Sequence, residues 1–418
     1  MMTSRWPWRN RSKGRIPFPI QSWGREHFIP VSTRDLISHL LQLDASHIER
    51  APFLEILFKQ IVDLIHLQYR SHHEQLVFMY QDFDPDLDPT PTQIEIPKNL
   101  APDERELVSQ KLFAEISDSL WRANYRRLKP YEIQAAVNMA SHWGVRLKTR
   151  FSSFRRLEVY GRGDIIAKRM RRHWTNFYRL REVDVPIYQR LVVVFRTKEL
   201  QNLPELLDPD CIHVRMFKNI PKLDVDMMLP GTQVRMGWVE TGKIGVPTLW
   251  GVVMLASKIA RNVGLVAMLG AAKFVSSFFF VIAIVVASLV YGIKSIFSYT
   301  TAKRRYQLNV ARNLYYQNLD NNLGALLRLL EEAEQQESCE ALLGYYILNS
   351  VYPAPMTSEQ IDHEAERILL SKTGISIDFD VQDALRDLAG MGIVNLNSEG
   401  WASVSIDEAT EKTHFNRF

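Results

Sequence analysis

Hydrophobic and polar positions change period several times along this chain. Over residues 25–143 the apolar positions recur at helical spacing. Ser32 and Asp35 form a capping-box-like start, and Leu36, Leu40, Leu41 and Leu43 follow it. Phe53, Leu54, Leu57, Phe58, Ile61, Leu64, Ile65 and Tyr69 then line one broad apolar face. Residues 82–102 hold five prolines and read as a loop or linker. Helices are expected again over 103–123 and 130–140. From Gly144 the period becomes two. Val145, Leu147 and Thr149 alternate with Arg146, Lys148 and Arg150, which predicts a half-exposed strand. Residues 154–160, 188–196 and 211–217 continue the β signal. No helical-length crossover separates the first two strands, so a sheet of about four antiparallel or mixed strands is predicted.

The longest apolar run is 274–293, FVSSFFFVIAIVVASLVYGI, without one charged residue. At helical rise roughly 20 such residues cross a hydrocarbon core. Residues 244–272 are almost as apolar, broken only by Lys258 and Arg261. Together they predict a transmembrane hairpin over 244–293, with a single span and an interfacial first segment as the alternative. A helix is expected to continue the second span over 294–318. A break follows at 318–324, then two helices, 325–337 and 339–349. Thr357 and Gln360 make a capping box for a helix over 358–372, and 380–391 predicts another. A β-hairpin over 393–406 completes the element order of a winged-helix domain.

The resulting expectation is an α+β membrane protein. It has a basic tail (1–24), a helical region (25–143), a small, mostly antiparallel β-rich region (144–235), the hairpin (244–293), juxtamembrane helices (294–338) and an acidic winged-helix-like domain (339–418).

Charge sharpens this picture. The chain of 418 residues has a formal net charge of +4. The part before the hairpin carries roughly +8 and the part after Met356 roughly −7. A basic body suits an anionic surface. The two cysteines, Cys211 and Cys339, exclude a disulfide framework or a cysteine-rich zinc site. The N-terminal 20 residues are arginine-rich without an apolar core, unlike a secretory signal.

Candidate chemistry is sparse. Asp82, Asp84, Asp86 and Asp88 alternate like the start of a calcium loop. Leu87 and Gln93 stand where such a loop needs glycine and glutamate. His66, His72 and His73 lack the spacing of a zinc helix. Nucleophile-elbow, zincin and Walker patterns do not occur, so no catalytic, cofactor-binding or metal-binding residue is assigned. Gly161-Arg162-Gly163-Asp164 follows a predicted strand and reads as a turn needing positive φ.

The stretch after it is basic and aromatic: Arg162, Lys168, Arg169, Arg171, Arg172, Arg179 and Arg181, interleaved with Trp174, Phe177 and Tyr178. With Arg235, Lys243, Lys294, Lys303, Arg304 and Arg305 flanking the hairpin, these cations are the candidate contacts to anionic lipid. Nucleic acid is the less favoured partner. The acidic 380–391 helix would repel phosphate, so a protein partner is expected for the C-terminal domain.

Seven short motifs occur in order: 25–31 (REHFIPV), 83–86 (FDPD), 186–191 (PIYQRL), 218–221 (KNIP), 229–232 (LPGT), 243–247 (KIGVP) and 316–322 (YQNLDNN). On these the chain resembles the transmembrane protein 143 family from about Arg25 onward. The resemblance implies an integral membrane protein with a paired membrane segment. Members in animals are associated with mitochondria, and bacterial members are also found. It implies no activity, cofactor or catalytic residue. The expected location is a bacterial inner membrane, or a mitochondrial membrane in a eukaryote. The expected role is a membrane-anchored, non-enzymatic interaction or scaffold protein. The alternative is a membrane-bound enzyme or lipid-handling protein with its site between the basic β region and the bilayer.

Overall fold

The computed structural model describes residues 23–44, 49–87, 101–133, 146–148, 151–172, 180–198, 208–229, 233–235, 315–351 and 355–415, with scattered positions between 286 and 308. The chain divides into two compact units. One comprises Met1–Ile133, Arg150–Lys222 and Asn318–Phe418; the other comprises Gln134–Thr149 and Leu223–Gln317.

In the second unit, β2 (Arg146–Lys148) pairs antiparallel with β6 (Gln233–Arg235), with Leu147 opposite Val234. The strand expected from the alternation at 144–149 is therefore real, but it belongs to this separate ribbon and not to the main sheet.

In the first unit, α1 (Thr33–Leu43) starts where the cap predicts, with the Ser32 hydroxyl accepting from the Asp35 amide at 3.1 Å. The second predicted helix runs longer than its apolar stripe, as α2 (Ala51–Tyr80), and α3 spans Pro102–Arg122. The main sheet is antiparallel throughout. Its order is β1 (Arg126–Arg127), β3 (Phe154–Arg172), β4 (Leu180–Thr197), β5 (His213–Pro221) and β7 (Asn318–Asn321).

Two C-terminal expectations change. The predicted break near 318–324 is the edge strand β7, and the two helices after it are one, α4 (Asn322–Tyr346). The hairpin of β8 (Val394–Asn397) and β9 (Gly400–Ser403) follows α5 (Ser358–Thr373) and α6 (Val381–Gly390), as the pattern predicts. An unforeseen α7 (Ile406–Phe415) then packs on α2. Residues of α1 to α6 share one apolar core with the helix-facing side of the sheet. The C-terminal elements are thus part of that core and not a separate winged-helix domain.

The membrane-protein expectation is corrected. No helix among the described residues is long and apolar enough to cross a membrane. The fold is α+β, built on a five-stranded antiparallel sheet, and the integral-membrane location is withdrawn with the hairpin. The predicted spans, 244–293, lie outside the described residues except at isolated positions.

Helix α4 is the centre of the first unit, packing against α1, α2, α3, α6 and the sheet. From Gln336 to Tyr346 every residue is buried, so this half of the helix has no solvent face. At Gly344 an added Cβ would lie 3.2 Å from Leu388 Cδ1, which shows how closely α6 approaches.

Three of the ordered motifs have physical roles here. Residues 25–31 form a strap across α4. The Gln336 side chain accepts from the Ile29 amide at 2.8 Å and donates to the Ile29 carbonyl at 3.1 Å, substituting for a neighbouring strand. Asn322, at φ 50°, holds β5 through the Val214 amide at 3.3 Å and donates to Asp86 of the FDPD turn at 2.6 Å.

The Gly161–Asp164 segment is not a turn. β3 runs straight through it, with an irregularity at Gly163, where φ is 72°. A Cβ there would sit 2.6 Å from Gln189 Cβ. Gly163→Ala therefore meets both a backbone penalty and a clash, and is expected to cost about 1–3 kcal/mol. At Gly374, φ is also positive but nothing lies within 4 Å. Gly374→Ala should cost only about 1–2 kcal/mol, from the backbone alone. Urea denaturation of both variants checks the difference.

Candidate functional site

The basic stretch of the sequence is folded into the outer half of the β3–β4 ladder. Next to β4, β5 pairs only with Ile187–Phe195, and β1 pairs with β3 only at Tyr160 and Gly161. From Ile166↔Pro186 out to Arg172↔Leu180, the described ladder is a two-stranded ribbon of seven rungs. At strand rise that is roughly 23 Å long. Ile165 and Ile166 are 36% and 54% exposed. Lys168 is exposed and lies 3.9 Å from Glu182, a contact worth little at a surface.

Because neighbouring positions of a strand alternate between faces, the register sorts the charges. One face takes positions 165, 167, 169 and 171 with 187, 185, 183 and 181. It holds Arg169, Arg171 and Arg181 and no acidic residue. The other takes Lys168 and Arg172 together with Glu182 and Asp184, and is balanced. On the cationic face Arg171 is paired directly with Arg181. The sequence displays the cations but not this segregation, which only the register reveals.

Arg162 has a different fate. Its side chain is 4% exposed. The guanidinium lies over the rings of Phe28 (3.8 Å) and Tyr125 (4.5 Å), donates to the Ala123 carbonyl at 3.0 Å, and reaches Glu332 Oε2 at 3.0 Å. Tyr125 donates to the same carboxylate oxygen at 2.8 Å, and burial pushes its phenol well up from the ordinary value. Arg190 and Arg328 each stand 3.7 Å from Glu332 Oε1. Thus Arg162 anchors α4 to the sheet.

Of the other candidate contacts, Arg235 pairs with Arg146 in the small ribbon of the second unit. Lys294 and Arg304 are exposed. Arg179, Lys243, Lys303 and Arg305 lie outside the described residues.

Sequence reasoning missed the base of the ribbon. Lys222 reaches Asp164 at 2.6 Å, and both side chains are almost fully buried. The Trp23 amide donates to the same carboxylate at 2.7 Å, and the Glu26 carboxylate accepts from the Gly163 and Asp164 amides. Burial is the main influence on Asp164 and raises its pKa, partly offset by Lys222. No local motif joins residues so far apart in sequence; the GRGD glycines were the one visible signal.

The histidines are engaged separately, His66 with Glu334 at 2.9 Å and His72 with Ser119 at 3.3 Å. Among the described residues no cluster of His, Cys, Asp and Glu could hold a metal ion. A cavity of about 330 Å³ opens between α1, α2 and α4, where Ser32, Thr33 and Arg34 face Glu331, Glu334 and Ser338. The Ser32 hydroxyl is already spent on the α1 cap.

Removing Glu332 would leave a buried guanidinium without its charge partner. Glu332→Ala is expected to destabilise the fold by about 3–5 kcal/mol. Surface Glu182→Ala should change stability by less than about 1 kcal/mol. Chemical denaturation of the two variants measures both.

Residues 188–324 match the sequence profile of a family described as a protein of unknown function (DUF3754). The matched stretch begins within β4, takes in β5 and β7, and ends in the first turn of α4. No curated protein and no solved structure matches the chain.

Proposed function

We propose that this chain is a non-enzymatic interaction protein, and that its contact element, the β3–β4 ribbon, docks on an anionic phospholipid surface. The observation that carries this reading is the Arg171↔Arg181 pair on a ribbon face that also holds Arg169 and no acid. Exposed Ile165 shares that face, and exposed Ile166 stands on the opposite one. Trp174, Phe177 and Tyr178 occur in the sequence joining the two strands. Apolar, aromatic and cationic residues together suit the boundary between headgroups and acyl chains. A ribbon bound in a nucleic-acid groove would rely on phosphate contacts and would not need its apolar positions. Between 165 and 186 six Lys and Arg residues stand against two acids, whereas the acidic segment after Met356 is the proposed protein-facing side.

The test uses the full chain, Arg169→Gln/Arg171→Gln/Arg181→Gln, and vesicles of phosphatidylcholine with or without phosphatidylserine. The wild type should sediment with the mixed vesicles and not with pure phosphatidylcholine. Each cation contributes about 1 kcal/mol near an anionic surface, so the triple variant should bind roughly a hundred-fold more weakly. Binding should also weaken with salt. Binding to duplex DNA in place of the vesicles would assign the ribbon to nucleic acid. Binding to neither, or vesicle binding unchanged in the variant, would overturn the proposal.

A further inference from the structure

Helix α6 is held on α4 by Ala384, Leu385 and Leu388, all buried, at the point where Gly344 permits close approach. The polar flank of this junction is crowded with carboxylates. Helix α6 brings Asp383 and Asp387, with side chains 13% and 18% exposed, and Asp380 stands at its N-cap. Helix α4 brings Glu337 and Glu340, 5% and 4% exposed. Against these five stand two guanidiniums. Arg122 of α3 reaches Glu337 at 2.9 Å and is shared with Asp118 at 2.8 Å. Arg386, half-exposed, reaches Asp383 at 2.7 Å and Asp387 at 3.6 Å. Glu340 receives one hydrogen bond, from Asn124 Nδ2 at 3.0 Å. Tyr69 of α2 faces the Glu337–Arg122 pair. Among the described residues, the charged groups acting on Asp383 and Asp387 come from α3, α4 and α6 itself.

We propose that the α4–α6 junction is a proton-operated latch: α6 is clamped on α4 while Asp383, Asp387 and Glu340 hold protons, and loosens as they ionise. Close packing of five acids beside two shared cations is tolerable only if part of the negative charge is absent. Burial, followed by the Glu337 charge, pushes Asp387 up to about 6. Burial also raises Asp383, with Asp380 adding to it, and holds Glu340 well above the ordinary carboxylate range despite its bond to Asn124.

The sign follows directly. A carboxyl whose folded value is raised stabilises the packed state below its unfolded value of about 4, and that contribution disappears as pH rises through the folded value. The latch therefore tightens on acidification and opens across the range just below neutrality.

Hydrogen exchange of the full chain, corrected for the intrinsic pH dependence of exchange, tests this. Amides of α6 are expected to be about ten-fold or more better protected near pH 5 than near pH 8, while those of α2 change little. Asp387→Asn and Glu340→Gln keep the shape and remove the charge, so each should raise α6 protection near pH 8 and shrink the difference. If Glu340→Gln fails to fold, Asp387→Asn carries the test alone. Equal α6 protection in the wild type at both pH values would overturn the latch, as would a difference left undiminished in Asp387→Asn. A change shared equally by α2 would also overturn it, because the effect would then be global unfolding.

Discussion

Helix α4 is buried on nearly every side yet carries Glu332, Gln336, Glu337 and Glu340. A buried polar group left unpaired costs far more than a paired one returns, so each must find its partner before the core can close. Those partners come from distant parts of the chain. Glu332 collects Arg162 from β3 and Tyr125 from the segment after α3. Gln336 takes both backbone groups of Ile29 in the strap. Glu337 takes Arg122, and Glu340 takes Asn124. The apolar contacts of the helix give it depth in the core; these four polar positions give it one orientation there. The same stripe places the sheet, the strap and α6 around a single axis.

The ribbon depends on that arrangement at its base. The strap that Gln336 holds by Ile29 continues back to Glu26 and Trp23, which bond the Gly163 and Asp164 amides and the Asp164 carboxylate. Lys222 closes the group from the end of β5. The glycine irregularity in β3 is thus fixed from several sides, and the ladder beyond it is the part of the sheet that carries the cationic face.

Three of the ordered motifs mark joints. REHFIPV is the strap, FDPD is the turn that meets β5, and Asn322 of YQNLDNN joins that turn to the sheet. Their residues bond backbone groups across long sequence separations, which is what holds the helical and β layers together.

Much of the local structure was legible in the residues. The Ser32 and Thr357 caps, the apolar stripe of α2 and the turn before β9 all act through neighbours a few positions away, and the sequence alone determined them. The cationic stretch was visible too. Its division into a face with Arg169, Arg171 and Arg181 and a balanced face needed the pairing register, which depends on which two strands meet. Arg162, one position among several basic ones, could not be separated from the rest until Phe28, Tyr125 and Glu332 surrounded it. The break read at 318–324 became a strand and a helix start because β5 supplied hydrogen-bond partners that no local pattern contains. Likewise the integral-membrane reading rested on hydropathy and a family resemblance, and no helix among the described residues meets it. Periodicity and caps are short-range and are written in adjacent residues. Partner choice for buried polar groups is long-range, and only the tertiary structure decided it.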